Sequence, residues 1–194
     1  MSSHRLLIIA GTSGVGKSTL SARVATALGF SKIVSTDTIR ETLRTQFDRE
    51  QIPALHRSSF EPANSGAIED WHQTVAVLSE AVDAVVKRAA DKSSDVVLEG
   101  VHIIPNEEIL AEWRSSGGQS CGVLLRVDDE DIHQEFIRSR EKHNSKGVTH
   151  YLDNLGRIRE IQNQMISNAK DSGWLSIDPS TDEDSIGLIE RSFE

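Results

Sequence analysis

Cysteine occurs once, at Cys121, tyrosine once and proline four times in 194 residues. A lone cysteine excludes an internal disulfide and any zinc site built from several thiolates, and fits a reducing cytoplasm. No apolar run approaches the roughly 20 residues that a bilayer span requires, so no membrane partner is expected. The first apolar run, Leu6-Leu7-Ile8-Ile9-Ala10, is too short for the apolar region and cleavage site of an export signal. Excess positive charge is missing as well. Lys and Arg number 21 against 30 Asp and Glu, a net charge of −9, which argues against nucleic acid as a partner. Aromatics are only 5%, yet 37% hydrophobic and 26% charged residues describe a globular chain rather than a disordered one. That length suffices for one domain with a buried core. Nothing in the sequence fixes an oligomeric state, and no internal repeat, linker or low-complexity segment occurs.

What is present is an alternation of apolar strands and amphipathic helices. Residues 6–10, 31–35, 95–99 and 122–127 read as buried strands, with a short fifth at 174–177. Their apolar residues run continuously rather than alternating, as in a parallel sheet covered on both faces. Helical patterns fill the gaps at 17–28, 37–47, 68–90, 107–114, 129–141, 152–169 and 182–191. The helix over 68–90 carries Val75, Leu78, Val82, Val85, Val86 and Ala89 on one face. The alternation predicts a doubly wound α/β domain with a mainly parallel five-stranded sheet. Two polar stretches, 51–66 and 142–150, interrupt the pattern, and loops of that length tend to be lids or binding loops.

The turn after the first strand is Gly11-Thr12-Ser13-Gly14-Val15-Gly16-Lys17-Ser18, followed by Thr19. It matches the phosphate-loop pattern G-x-x-x-x-G-K-[ST]. Glycines let the backbone curl so that successive N–H groups point at phosphate oxygens, and the next helix adds its positive end. Lys17 would reach the β- and γ-phosphates and the Ser18 hydroxyl would bind Mg²⁺, so ATP and Mg²⁺ are the expected cofactors.

The second strand ends in Ser35-Thr36-Asp37-Thr38-Ile39-Arg40-Glu41, on the ligand-binding edge of such a sheet. There Asp37 could accept the proton of an attacking hydroxyl, and Arg40, one helical turn on, could grip an anionic acceptor. The alternative is a helix cap and a solvated arginine. Glu99, ending the third strand, could hold a water on Mg²⁺, share the base role, or pair with a neighbouring cation. His102 reads as a scaffold residue or as an acceptor contact. Between 136 and 159, Arg138, Arg140, Lys142, Lys146, Arg157 and Arg159 face only Glu141 and Asp153, which suits a small anion in an otherwise acidic protein.

The phosphate loop and the Ser-Thr-Asp-Thr-Ile-Arg-Glu segment together resemble the 2-phosphoglycerate kinase family. So do Pro53-Ala54-Leu55-His56-Arg57-Ser58-Ser59-Phe60, Leu98-Glu99-Gly100-Val101-His102-Ile103-Ile104-Pro105, and His150-Tyr151-Leu152-Asp153-Asn154 leading to Ile158-Arg159-Glu160-Ile161-Gln162. The resemblance covers about 6–169; its Leu-His-x-Ser-Ser and Glu-Gly-Val-His elements are more particular than the phosphate loop. It implies a three-layer P-loop kinase fold like that of nucleoside monophosphate kinases, comprising the whole chain, with an acceptor insertion at about 48–70 and an arginine-bearing lid at about 138–159. It also implies ATP-dependent phosphorylation of the 3-hydroxyl of 2-phosphoglycerate, a small anionic metabolite, giving 2,3-bisphosphoglycerate and ADP. Family members often carry an additional amino-terminal domain, whereas this sequence starts almost at the first strand, a departure that loosens the substrate assignment more than the reaction.

On that reading His56, Ser58, Ser59 and His102 contact the acceptor with Asp37 and Arg40, although His56, Ser58 and Ser59 could equally pack locally. Arg138 and Arg157 supply charge to the migrating phosphoryl group, and Arg140 and Arg159 bind substrate. Other readings stay open: a kinase for a sugar acid, nucleoside or polynucleotide end, or a slow ATP-hydrolysing switch. Asp153-Asn154-Leu155-Gly156 matches D-x-x-G, but no buried strand precedes it and no N-K-x-D exists. His143, Asn144 and His150 form no convincing metal set. Trp71, Trp113, Trp174 and Cys121 read as core residues. The tail at 178–194 reads as a solvated helix, with Asp178-Pro179-Ser180 where adenine rests in similar folds.

Overall fold

The computed structural model describes residues 4–141 and 147–193. Its elements run β1 (Arg5–Ala10), α1 (Lys17–Leu28), β2 (Ile33–Ser35), α2 (Thr36–Arg44), a 3₁₀ turn (Pro53–His56), α3 (Ala67–Ala76) and α4 (Ser79–Asp91). Then follow β3 (Val96–Gly100), α5 (Glu108–Ser115), β4 (Gln119–Leu125), α6 (Glu130–Glu141), α7 (Val148–Leu152), α8 (Leu155–Asp171), β5 (Leu175–Ile177) and α9 (Ser185–Arg191). The five strands are ordered β2-β3-β1-β4-β5, and every neighbouring pair is parallel. The α/β class and the five strands expected from the sequence are present.

Side-chain alternation along β1 explains why the sheet is covered on both faces. Leu6, Ile8 and Ala10 enter one core with Trp71, Leu78, Val82, Leu110, Trp113, Ile158 and Met165. Leu7 and Ile9 enter the other with Val15, Leu20, Val24, Phe30 and Ile189. Leu6–Ala10 are fully buried, and a Leu or Ile so placed contributes about 1.5–3 kcal/mol. Helix α1 stops where Gly29 turns into the left-handed region at φ 72°, its N–H donating to Ala25 O.

Two expectations are corrected. The helix over 68–90 is two helices, α3 and α4, parted at Val77 and Leu78. β-Branched Val75 and Val77 weaken the helix there, and the Ser79 hydroxyl donates to Ala76 O at 2.9 Å, a bond that competes with the helical ladder. The bend keeps Trp71 buried, its indole N–H on Val101 O at 2.8 Å, while α4 still lays Val82 and Val86 on the same core. The tail is not a solvated helix either: Asp178 and Ile189 are buried and α9 packs against α1. Trp71, Trp113, Trp174 and Cys121 are core residues, as read. Among the described residues no helix is long and apolar enough to cross a membrane.

Candidate active site

The strand order brings the ends of β1, β2 and β3 to one edge, with Ile9 paired to Glu99, Ala10 to Gly100 and Ser35 to Glu99. The loop 11–16, the start of α2 and the 99–102 corner therefore meet. Gly14 and Gly16 hold positive φ of 88° and 90°, and a Cβ at Gly14 would stand 2.5 Å from Ile137 Cγ1. At Gly11 a Cβ would stand 2.5 Å from Leu125 O. Only glycine fits these positions, and the result is a backbone nest opening onto the N-terminus of α1. Lys17 Nζ donates to Thr12 O at 2.8 Å across the loop. Loss of hydration pushes the Lys17 pKa down; the Glu99 and Asp37 carboxylates oppose this and Arg140 adds to it.

Ser18 Oγ donates to Glu99 Oε1 at 3.2 Å, and Glu99 is only 6% exposed. A hydroxyl and a buried carboxylate beside a phosphate nest form a hard oxygen donor set that fits Mg²⁺. A cleft of about 490 Å³ extends from the nest between Arg23, Phe136, Ser139, Arg140, Pro179 and Glu183. Its size and mixed lining fit a nucleotide, and of the Asp178-Pro179-Ser180 segment Pro179 lines it.

Asp37 occupies the first turn of α2, its N–H bonded to Ser35 Oγ at 3.2 Å. Its carboxylate lies 3.6 Å from Arg40 Nη2 and 4.0 Å from His102 Nδ1. His102 is buried and shares a 3.1 Å hydrogen bond with Thr36 Oγ1, while its Nε2 has no partner. Burial depresses its pKa to about 4, with Arg40 and Lys17 contributing and Asp37 resisting. His102 is thus a neutral imidazole at neutral pH. Gly100 makes this corner possible: a Cβ there would lie 1.8 Å from Thr36 Oγ1 and 2.7 Å from its Cβ.

Beyond Arg40 lies a second cavity of about 320 Å³, lined by Arg40, Arg44, Arg49, His56, Arg57, Ser58, Glu61 and His150. Four arginines face one carboxylate. His56 and Ser58 stand there, although His56 Nε2 donates to Phe47 O at 2.8 Å and Ser58 N to Glu61 Oε2 at 2.5 Å. Ser59 is buried beside them without lining the cavity.

The lid arginines are distributed unequally. Arg140 reaches the nucleotide cleft, stacked 4.5 Å over the Tyr151 ring and bonded to Glu141. Arg138 is exposed on α6 and bonds Gln134. Arg157 donates to Phe60 O and to Asp70, tying α8 to α3; Arg159 donates to Val127 O and Asp128 O. Lys142, His143, Asn144 and Lys146 lie outside the described residues. Among the described residues no cluster of His, Cys, Asp and Glu suits a metal.

Three positions escaped the sequence reading. Buried His133 on α6 donates Nε2–H to Ser13 O at 2.8 Å, pinning the phosphate loop from a helix 120 residues away. Asp70 accepts from Ala63 N, Ser65 N and Arg157. Burial alone would raise its pKa, but those hydrogen bonds outweigh it and hold it below the usual carboxylate value. Arg57 is the third. Only chain separation hid the first two; no local pattern marks them.

A family profile described as "AAA domain" matches residues 6–145. Curated 2-phosphoglycerate kinases are similar: that of Methanothermobacter thermautotrophicus is 30% identical over 180 residues, covering 87% of this chain and 58% of the relative. For Methanopyrus kandleri the figures are 30% over 179 residues, 86% and 53%; for Methanocaldococcus jannaschii, 27% over 175 residues, 87% and 56%. The chain thus spans little more than half the length of the curated relatives it matches. Shikimate kinase from Acinetobacter baumannii, solved with shikimate, shares the fold with a TM-score of 0.53 at 14% identity, covering 98% of this chain and 92% of that one. The phosphate nest, the strand order and the profile match agree: the chain belongs to the AAA-domain family of P-loop proteins and, within it, is similar to the 2-phosphoglycerate kinases.

Proposed function

We propose that this chain is an ATP-dependent kinase that phosphorylates 2-phosphoglycerate on its 3-hydroxyl, releasing 2,3-bisphosphoglycerate and ADP. The observation that carries the reading is the placement of Asp37, which pairs with Arg40 of the arginine-lined cavity and acts electrostatically on Lys17 of the phosphate nest. One carboxylate thus interacts with a cation of each site. The names of the similar curated proteins support the same acceptor.

On this reading the chain is one kinase domain, with the acceptor insertion at 48–70 and a lid at 138–159. The acceptor hydroxyl attacks the γ-phosphorus, the bond to the β,γ-bridging oxygen breaks, and the hydroxyl proton passes to a carboxylate. Asp37 takes that proton, because Glu99 is buried against Ser18 whereas the Asp37 side chain is 62% exposed beside Arg40. Lys17 follows the charge that develops on the phosphate oxygens. Of the lid arginines Arg140 meets the migrating group, since it already lines the nucleotide cleft. Mg²⁺ would be held by Ser18 and, through water, by Glu99; it supplies charge neutralisation on the phosphates. Arg40 orients the acceptor, and its ion pair with Asp37 keeps that carboxylate beside the hydroxyl.

The test is incubation with Mg-ATP and separate acceptors: 2-phosphoglycerate, glycerate, shikimate, a nucleoside and a DNA end. ADP release and product mass are followed. Turnover with 2-phosphoglycerate at the mass of a bisphosphate is the expected result. Turnover confined to another acceptor, or slow hydrolysis indifferent to acceptors, overturns it. Asp37→Asn should lower kcat far more than ATP affinity; loss of ATP binding with kcat unchanged would remove Asp37 from the base role.

A further inference from the structure

The arginine-lined cavity contains a cation, Arg57, that does not line the nucleotide cleft. Arg57 stands between His56 and Ser58 in the Leu55–Ser59 segment. Its Nη2 donates to Gln73 Oε1 at 2.8 Å, but its buried Nη1 has no hydrogen-bond partner. Among the described residues no carboxylate lies within ion-pair distance of it. Asp70, the nearest strong acid in electrostatic terms, is held by Arg157 and two backbone N–H groups. Arg40 differs in having acidic partners, its Nη2 lying 3.6 Å from Asp37 and 3.5 Å from Glu41, but it too keeps an unused donor. It is 8% exposed, its Nη1 donates to Arg57 O at 3.1 Å, and its Nε is buried without a partner.

Two guanidinium groups lining one cavity, each with an idle buried N–H, are costly in the absence of an acceptor. They are also linked, because the Arg57 backbone positions Arg40. Burial pulls the Arg57 pKa down, with Arg157 adding to this and Asp70 opposing it, yet the group stays charged at neutral pH. Such an arrangement is explained by an anion with several oxygens that arrives from outside. A single carboxylate would satisfy one fork; the lining presents Arg40, Arg44, Arg49 and Arg57 with Glu61, and although Asp37 and Glu41 pair with Arg40 and Arg44, cations remain in excess.

We infer that Arg40 and Arg57 form a preorganised seat for a phosphate-type dianion on the acceptor, with Arg57 as the residue that discriminates phosphorylated from unphosphorylated hydroxy acids. The inference rests on the kinase reading for its use, but the seat itself can be tested without catalysis. With the nest filled by a non-hydrolysable ATP analogue and Mg²⁺, inorganic phosphate is titrated calorimetrically into wild type, Arg57→Gln and Arg57→Lys. Glycerate serves as the unphosphorylated comparison.

Wild type is expected to bind phosphate, and Arg57→Gln to bind it at least about tenfold more weakly, since a charge-assisted hydrogen bond is lost. Glycerate binding should change less than threefold. Arg57→Lys should recover part of the phosphate affinity, as a point charge without the fork. Unchanged nucleotide affinity in both variants shows that they are folded, and Arg57→Lys alone suffices if the Gln variant does not fold. Equal phosphate affinity in wild type and variants overturns the seat, as does an equal loss for phosphate and glycerate. If phosphate binds through Arg57 and yet no phosphorylated acceptor is turned over, the kinase assignment fails and the seat stands. If 2-phosphoglycerate is turned over by Arg57→Gln with an unchanged KM, the seat fails and the kinase assignment stands.

Discussion

Lys17 is the residue on which the chemistry depends most directly. Its ammonium is held over the loop by Thr12 O, ready to exchange that carbonyl for phosphate oxygens. Lys17→Ala should cut turnover at least about a hundredfold, equivalent to roughly 3 kcal/mol of lost charge stabilisation. Steady-state kinetics on a variant with wild-type circular dichroism would decide it; unchanged kcat would dismiss the assignment. This residue was legible in the sequence because eight consecutive positions encode the nest. Arg57, His133 and Asp70 were not, because each is defined by a partner brought close only by folding, as with Arg157, 87 positions from Asp70.

His102 makes a prediction about pH. The folded protein holds its pKa near 4, against 6.5 in the open chain. Between those values the unfolded chain takes up a proton that the folded chain refuses. Stability from this residue is complete above about pH 6.5 and falls as the pH drops towards 4, by up to about 3 kcal/mol. His133, also lowered mainly by burial, acts in the same direction. Urea unfolding of wild type and His102→Gln at pH 7, 6 and 5 should give a shallower slope for the variant. Identical slopes would mean that His102 is not the titrating group.

At the scale of elements, the critical contact is between β3 and α2. Gly100 lies so close to Thr36 that a Cβ meets Oγ1, Cβ and Cγ2 at 1.8, 2.7 and 2.8 Å, so rotating the threonine gives no relief. Gly100→Ala should therefore cost about 1–3 kcal/mol, in the range of overpacked cores. Because α2 carries Asp37 and Arg40, kcat should fall along with the melting temperature. A variant with wild-type stability would show that the corner yields. The sequence marked the Glu-Gly pair as the end of a strand, but not why the second residue has no side chain. It also ran α3 into α4, since apolar spacing survives a bend that keeps both halves on one core. Strand identities were clear because burial on both faces leaves unbroken apolar runs.

For the whole molecule, charge is distributed against the average. The chain carries −9 overall, while one cavity collects four arginines. If the acceptor is the proposed phosphorylated hydroxy acid, it crosses a repulsive exterior field to reach an attractive interior one, and both are screened by salt. Within a short-range cavity the attraction dominates at contact, so the acceptor KM should rise severalfold as ionic strength goes from 0.01 to 0.15 M, where the screening length shrinks from about 30 to about 8 Å. Initial-rate measurements across that range would test this, and a flat KM would deny the cavity an electrostatic role.

The division of β1 between two cores has an engineering consequence. Odd and even positions of that strand serve opposite faces, and the phosphate nest begins at the next residue. Deleting one residue from β1 would exchange the side chains that this strand gives to the two cores and turn the nest towards the wrong side of the sheet. Removing two would restore the facing but pull the nest inward along the strand. Evolution of this segment is thus confined to substitution, whereas length variation has to accumulate elsewhere in the chain.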